Sequence, residues 1–358
     1  NTMGDIIPII VTGGGAPGIA GTIYSLRNNC ENTIFKIITT DIHDDVVGKY
    51  LADKFHQIPT PEDDHYITAL YEIVVKEQVK AILPQTTREI MTLSKCAQIF
   101  SSSNCAVVIS SYNTITVAND KYKLLEKAQH AGIPCPAYKI TDSELSLLSA
   151  VESLGYPKKK VVVKPRLSNG MRGLRILSEN PCDVERFLNN KPDGVAINLE
   201  TLLEILHNGE WPELLVTEYL QGLEYTVDVF RGANGCIVIP RIREKIRDGI
   251  TFETRIDIRD DLIDLSSRLS EILDLYYCFG FQFKCSSDDV PKLLECNPRV
   301  QGTMVVSTLA GYNMIYYSIM EALGNPPKVS HVKLNQSLKF KRYWGGIAVD
   351  DKGFIGTI

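Results

Sequence analysis

The sequence predicts two architectures in succession: an α/β domain with a parallel sheet over residues 1–118, then an α+β domain from residue 119 onward. Three observations carry this. Apolar strand runs alternate with helical patterns through residue 118, which is the signature of βαβ units and a parallel sheet. Beyond 119 the strands come in antiparallel-style pairs. Near the C-terminal end, Phe281-Gln282-Phe283 and Leu293-Leu294-Glu295-Cys296-Asn297-Pro298-Arg299 flank the turn-forming Ser286-Ser287-Asp288-Asp289, as a hairpin does.

In the first domain Ile6–Val11 is an apolar strand, followed by a glycine-rich turn and a helical stretch through Arg27. Phe35–Thr40, Val79–Leu83 and Ala106–Ser110 are the next strands, with helices expected over Ile67–Gln78 and Glu89–Phe100. In the second domain a helix over Asp120–Ala131 stops at Gly132, with Pro134 beyond, as helix C-termini do. Val161–Pro165 is expected to pair with Gly173–Leu177, and Leu214–Leu220 with Glu224–Phe230. A helix is expected over Thr303–Leu323, and a short strand over Leu338–Trp344.

The chain has 358 residues, room for two or three domains of roughly 100–200 residues. Its hydrophobic fraction of 44% and charged fraction of 23% are those of a globular protein, and a net charge of −5 gives no reason to expect nucleic acid or an anionic membrane as partner. No apolar run approaches the ~18 residues of a membrane-spanning helix. The first residues lack the charged-then-apolar plan of a signal peptide. Nine cysteines form no C-x-x-C pair, and their odd number disfavours a disulfide framework or zinc site, so a reduced, cytoplasmic protein is expected.

Several motifs carry chemistry. Side chains alternate along a strand, so Glu295, Asn297 and Arg299 share one face. If Ser286 pairs with Pro291, Gln282 stands opposite Glu295. Oxygen ligands from Gln, Glu and Asn, with an arginine nearby, suit a hard cation holding phosphate oxygens; an edge hairpin with a solvated polar face is the plain alternative. Asn119-Asp120-Lys121 starts a helix, and a lysine in a first turn faces the positive dipole end, which suits a lysine aimed at an anion. Val161–Pro165 is an apolar strand with a single lysine, Lys164, and strands seldom bury lysine without a partner. The loop Arg166-Leu167-Ser168-Asn169-Gly170-Met171-Arg172-Gly173 has the donors to close over a polyphosphate. Glu218, followed by Gly222 and Glu224, is placed to read an adenine edge and ribose hydroxyls, or simply to sit on an exposed hairpin. Arg241, Arg243, Lys245 and Arg247 alternate on a strand, so four cations are expected on one face, as an anionic-substrate site or a solvated surface. Gly13-Gly14-Gly15-Ala16-Pro17-Gly18, with Asp41 ending the next strand, fits G-x-G-x-x-G and leaves a dinucleotide-binding oxidoreductase as an alternative.

Lys121, Lys164, Glu218–Leu220, Gln282, Glu295, Asn297 and Arg299, in this order, resemble the ATP-grasp superfamily, and most the synthetase halves of carbamoyl-phosphate synthase large subunits and related carboxylate–amine ligases. Glu295-Cys296-Asn297-Pro298-Arg299 matches that family's E-x-N-P-R pattern, and Gln282 in place of a carboxylate looks like the carbamoyl-phosphate synthase variant. The resemblance implies a Rossmann-like domain over 1–118 that precedes the grasp fold, an ATP-grasp domain over 119–328 with a mobile lid at about 135–222, and a C-terminal extension over 329–358. It implies that Lys121, Lys164 and Arg172 meet ATP phosphates, that Glu218, Tyr219 and Leu220 hold adenine, and that Glu224 meets the ribose. Gln282, Glu295 and Asn297 would carry Mg²⁺ or Mn²⁺, Arg299 and Lys164 would act on the transferred phosphoryl group, and Arg241 and Arg243 would face the acyl substrate. The activity implied is ADP-forming ligation of a small-molecule carboxylate to an amine, with a homodimer common among relatives. A small-molecule kinase and a nucleotide-binding regulatory module are the further alternatives. The chain has one grasp unit and no glutaminase domain, which argues against carbamoyl-phosphate synthesis itself. Its short C-terminal part argues against biotin carboxylation.

Overall fold

A computed structural model describes residues 5–328 and 333–358. Residues 1–4 of the N-terminal domain, and residues 329–332 at the start of the expected C-terminal extension, lie outside the described residues. Two compact units emerge: residues 1–118, 225–282 and 296–358 form one, and residues 119–224 with 283–295 form the other.

The chain opens with β1 (Ile7–Val11), α1 (Ile19–Arg27), β2 (Phe35–Asp41), α2 (Val47–Leu51), β3 (Lys54–Gln57), α3 (Tyr66–Glu77), β4 (Ala81–Leu83), α4 (Thr87–Lys95), α5 (Ala97–Ser101), β5 (Ala106–Val107) and α6 (Tyr112–Ala118). The strands form a parallel sheet in the order β3-β2-β1-β4-β5. Ile9, Ile10 and Val11 of β1 are buried on both faces, as a parallel strand with helices on either side requires. The helix expected over Glu89–Phe100 is two helices, α4 and α5, divided at Cys96. The short edge strand β3 was not anticipated, because its Lys54-Phe55-His56-Gln57 lacks a run of apolar residues.

The strand order turns back between β1 and β4, where open α/β sheets bind ligands. Here the glycine turn after β1 is packed against the end of β2 and against α2. The Gly15 amide donates to Asp41 Oδ2 at 2.9 Å, Gly14 donates to the Thr40 carbonyl at 2.9 Å, and Gly48 of α2 donates to the Gly14 carbonyl at 2.8 Å. A Cβ at Gly18 would stand 2.9 Å from the Gly302 Cα. The glycines thus serve close backbone approach within the unit, and Asp41 caps the turn from which a dinucleotide ribose would be read.

Residues 119–218 supply α7 (Lys121–His130), β6 (Tyr138–Thr141), α8 (Glu144–Ser153), β7 (Val161–Pro165), β8 (Arg175–Leu177), α9 (Val184–Asn189), β9 (Ala196–Ile197), α10 (Leu199–His207) and β10 (Leu214–Glu218). Their sheet runs β6-β10-β7-β8-β9. Val161 and Val163 face a core of Leu147, Val151, Leu177, Leu202, Leu214 and Val216, so alternation sends Lys164 to the other face. The expected β7–β8 pairing is antiparallel, Val161 against Leu177. The expected pairing of Leu214–Leu220 with Glu224–Phe230 is not formed. β10 is an interior strand paired with β6 and β7, which explains its unbroken burial from Leu214 to Thr217.

The rest of the chain contains β11 (Glu224–Gly232), β12 (Gly235–Arg247), β13 (Ile250–Ile256), α11 (Asp260–Ile272), β14 (Tyr277–Cys285), β15 (Pro291–Asn297), α12 (Val305–Leu309), α13 (Met314–Ala322), β16 (Lys339–Lys341), β17 (Ile347–Asp350) and β18 (Gly353–Thr357). Six strands form a sheet in the order β15-β14-β11-β12-β13-β16. The long helix expected over Thr303–Leu323 is broken at Gly311, whose φ of +114° no helix accepts. It restarts where Asn313 accepts the Tyr316 amide as N-cap. One core joins α1 to α12 and α13: Ile19, Ile23 and Leu26 lie with Met304, Val306, Ile315 and Tyr316.

Candidate active site

In the unit of residues 119–224 and 283–295, two lysines gather around one carboxylate. Asp120 caps α7, accepting the Tyr122 and Lys123 amides at 3.0 and 3.1 Å, which fixes Lys121 at the first helical position. Lys121 is 7% exposed; its Nζ donates to the Ser168 carbonyl at 3.0 Å and Oγ at 3.2 Å, and lies 3.9 Å from Glu295 Oε2. Lys164 is 6% exposed. Burial lowers its ammonium to about 8, with Lys121 pushing the same way and the carboxylates of Glu295 and Glu224 opposing. Two cations share too few anions here, which suits a polyphosphate.

The loop after Lys164 is tied to the start of α7. Arg166 Nε donates to both Asp120 oxygens at 3.0 and 2.9 Å, and the Lys121 amide donates to the Arg166 carbonyl. Arg172 is exposed and bonds within its own loop, Nη1 to Asn169 Oδ1 at 2.6 Å. Glu218 accepts the Ala137 amide at 3.0 Å and Lys292 Nζ at 2.8 Å. Burial works against its charge, but those two donors hold its carboxyl below the usual range. Tyr219 lies between Lys160 and Lys284, whose Nζ atoms are 5.5 and 4.9 Å from its ring, while Leu220 is buried and Glu224 half-buried. Lys284 and Lys292 escaped the sequence reading, although each occupies a polar position within the hairpin strands.

The hairpin turn differs from expectation. Ser286 donates its amide to the Val290 carbonyl at 3.0 Å and accepts that of Asp289, which has a φ of +59°. Ser286 therefore pairs with Val290, not Pro291, because the extra left-handed residue forms a bulge. Gln282 is half-buried on β14, and Glu295 and Asn297 are half-buried two residues apart on β15.

In the unit of residues 1–118, 225–282 and 296–358, Asn297 Nδ2 donates to Gln301 Oε1 at 3.3 Å. Within this unit the Asn297 and Gln282 side chains each offer an amide oxygen, a donor type that suits Mg²⁺ or Mn²⁺. Among the described residues no group of three His, Cys, Asp or Glu could hold a metal. Arg299 Nε donates to Thr87 Oγ1 at 2.9 Å and Nη1 to the Val300 carbonyl at 2.8 Å.

The four cations of β12 do not share one face. Register shifts at Arg243/Lys245 and Lys245/Ile246 interrupt the alternation. Arg241 is 1% exposed and pairs with the fully buried Asp228, Nε to Oδ2 at 3.0 Å. Arg243 donates to Thr251 Oγ1 and the Gly249 carbonyl, Lys245 lies 4.0 Å from Glu253, and Arg247 stacks near Phe252 and Trp344. Gln301 and Arg342 were not among the expected site residues. Gln301 follows Arg299 by two positions on an irregular segment, and Arg342 lies in the short Leu338–Trp344 run.

A mixed sheet bearing a buried lysine, a lysine at a capped helix start and a strand carboxylate beside them belong to a nucleotide-binding ATP-grasp fold. The chain carries an ATP-grasp domain and a PylC-like N-terminal domain: residues 210–343 match the family described as ATP-grasp in the biosynthetic pathway with Ter operon, and residues 9–108 match the PylC-like N-terminal domain. It is similar to the carbamoyl phosphate synthase large chain of Xanthomonas campestris pv. campestris, 23% identical over 248 residues, or 65% of this chain and 21% of that one. The chain thus spans about a fifth of the length of that relative. Among solved structures it is similar to an ADP complex of N5-carboxyaminoimidazole ribonucleotide synthetase (TM-score 0.70, 15% identity, covering 95% of this chain and 82% of the other). It is also similar to L-amino acid ligase from Bacillus licheniformis (TM-score 0.65, 13% identity, covering 94% and 79%).

The depressed Lys164 ammonium gives a pH signature. Above pH ~8 the free protein holds Lys164 largely neutral, and a bound phosphate draws the proton back. Nucleotide affinity is therefore expected to fall as pH rises through about 8. Titration calorimetry at pH 8.5, in buffers of different ionisation enthalpy, should show proton uptake on ADP binding. No uptake would mean that Lys164 does not meet the phosphates.

Proposed function

We propose that this protein is an ATP- and Mg²⁺-dependent ligase that activates a small-molecule carboxylate as an acyl phosphate for attack by an amine, releasing ADP and phosphate. The observation that carries it is the pair of buried lysines, Lys121 and Lys164, beside Glu295. Two similar structures, a ribonucleotide synthetase and an L-amino acid ligase, point the same way. Lys121, Lys164 and Arg172 bind the phosphates, and Glu218, Tyr219 and Leu220 hold adenine, with Glu224 toward the ribose. Glu218 must exchange Lys292 for the base. Gln282, Glu295 and Asn297 would hold Mg²⁺ or Mn²⁺, which neutralises and orients phosphate oxygens when bound. Arg299 stabilises the charge that develops on the transferred phosphoryl group, so catalysis is mostly positioning and charge neutralisation. Among the described residues no helix is long and apolar enough to cross a membrane. Nine free cysteines suit a reducing, cytoplasmic setting.

The test is incubation with ATP, Mg²⁺ and hydroxylamine across a carboxylic-acid panel. Hydroxamate formed together with ADP supports the ligase. A stable phosphorylated product without hydroxamate makes the protein a kinase, and ATP binding without ADP from any acid makes it a regulatory module. The oxidoreductase alternative is disfavoured by the glycine turn, whose amides are already spent on Thr40 and Asp41.

A further inference from the structure

Resting on the ligase reading, we propose that the acid substrate carries a second anionic group, and that Arg342, with Arg241 set behind it, receives that group while the reacting carboxylate lies toward Arg299. The substrate class is then a small dicarboxylate or an acidic amino acid.

The sheet register puts the two arginines on one face. Arg241 pairs with Ile256, Thr254 pairs with Phe340, and the Arg342 amide continues the ladder by donating to the Phe252 carbonyl at 2.7 Å. Alternation aligns Arg241, Ile256, Thr254, Phe340 and Arg342. Their cations have one carboxylate between them, and it is fully subscribed. Asp228 Oδ2 accepts Arg241 Nε at 3.0 Å and Ser307 Oγ at 2.7 Å; its Oδ1 accepts Arg241 Nη2 at 3.3 Å and Gln301 Nε2 at 2.7 Å. Arg241 Nη1 is buried with no hydrogen-bond partner. Buried guanidinium groups ordinarily find partners.

Arg342 is half-buried and makes no ion pair among the described residues. Its Nε donates to the Thr251 carbonyl at 3.2 Å and Nη2 to Thr303 Oγ1 at 3.1 Å, so two bonds hold the guanidinium in place without neutralising it. Burial disfavours its charge, and the positive Arg241 adds to that. An anion on Arg342 would relieve both, and arginine takes a carboxylate bidentately. The connection to the reacting end is short. Asn297 bonds Gln301, Gln301 bonds Asp228, and Thr303, which holds Arg342, stands four residues after Arg299. Four residue steps reach roughly 14 Å at full extension, which limits the ligand to a small molecule. A glycine at 280 makes room for this link, since a Cβ there would collide with the Gln301 amide.

The test compares succinate and glutarate with butyrate and pentanoate, their monoacid counterparts, by titration against the nucleotide-free protein. The diacids should bind at least tenfold more tightly, and Arg342→Gln should bring the ratio to within about threefold while ADP affinity stays unchanged. Thr303→Val, which removes only the hydroxyl that positions Arg342, should lower the ratio at least threefold and serves where Arg342→Gln fails to fold. No diacid preference in the wild type, or a preference that survives either folded variant, overturns the proposal. If the diacid preference and its loss stand but no acid yields hydroxamate, the ligase reading fails and the anion site remains.

Discussion

Asparagine in place of Asp228 should destabilise the protein by about 3–5 kcal/mol, because it strands the buried Arg241 guanidinium without its counter-charge. Asp228 and Arg241 are 0% and 1% exposed, so solvent does not screen the pair, and the amide preserves the shape of the side chain while removing its charge. The measurement is the denaturant midpoint of Asp228→Asn against wild type. The double variant Asp228→Asn/Arg241→Met should recover a large part of the loss, since it removes the stranded cation as well. A single variant as stable as wild type would show that Asp228 does not balance the arginine. Gln301 and Ser307 also lose an anionic acceptor, so Asn297 is expected to be less well fixed and kcat to fall even where the variant is folded.

Removing the Glu295 carboxylate should have the largest effect on turnover. Glu295→Ala is expected to lower ADP formation by ~10²–10³-fold, in line with the loss of one preorganised charge from a phosphoryl-transfer site. The residue is half-buried on β15, so the fold should survive. A second readout separates this from a general disturbance. Glu295 is the leading influence that keeps Lys164 charged against burial, so its removal should lower the Lys164 ammonium further. Proton uptake on ADP binding should then begin at a lower pH than in wild type. Unchanged turnover would remove Glu295 from the site, and lost turnover with an unmoved proton profile would break the link to Lys164.

The parallel sheet was legible because its strands are apolar runs separated by helices, and local pattern suffices for that. Lys164 was legible for the same reason: a lone lysine in Val161–Pro165 stands out against its strand. What escaped was partnership across long stretches of chain. β10 looked like half of a hairpin with β11, yet its unbroken apolar run Leu214-Leu215-Val216 suits an interior strand better. The cations of β12 were counted by alternation alone, which a bulge near Lys245 defeats. Nothing near Arg241 in sequence announces that its carboxylate is Asp228, or that Arg342 lies on the same sheet face, because pairing between strands is a property of the fold.

The core that α1 shares with α12 and α13 bears on how the protein can be dissected. A cut after Ala118 would look natural from the order of elements, but it would strip Ile19, Ile23 and Leu26 from Met304, Val306 and Ile315. Each fragment would carry an open apolar seam, and at Gly18 and Gly302 the two chains would still have to meet backbone to backbone. The shared core ties α1 to α12 and α13 within one unit. The N-terminal part should be recoverable only by co-expression with the remainder, as complementing halves of one folding unit.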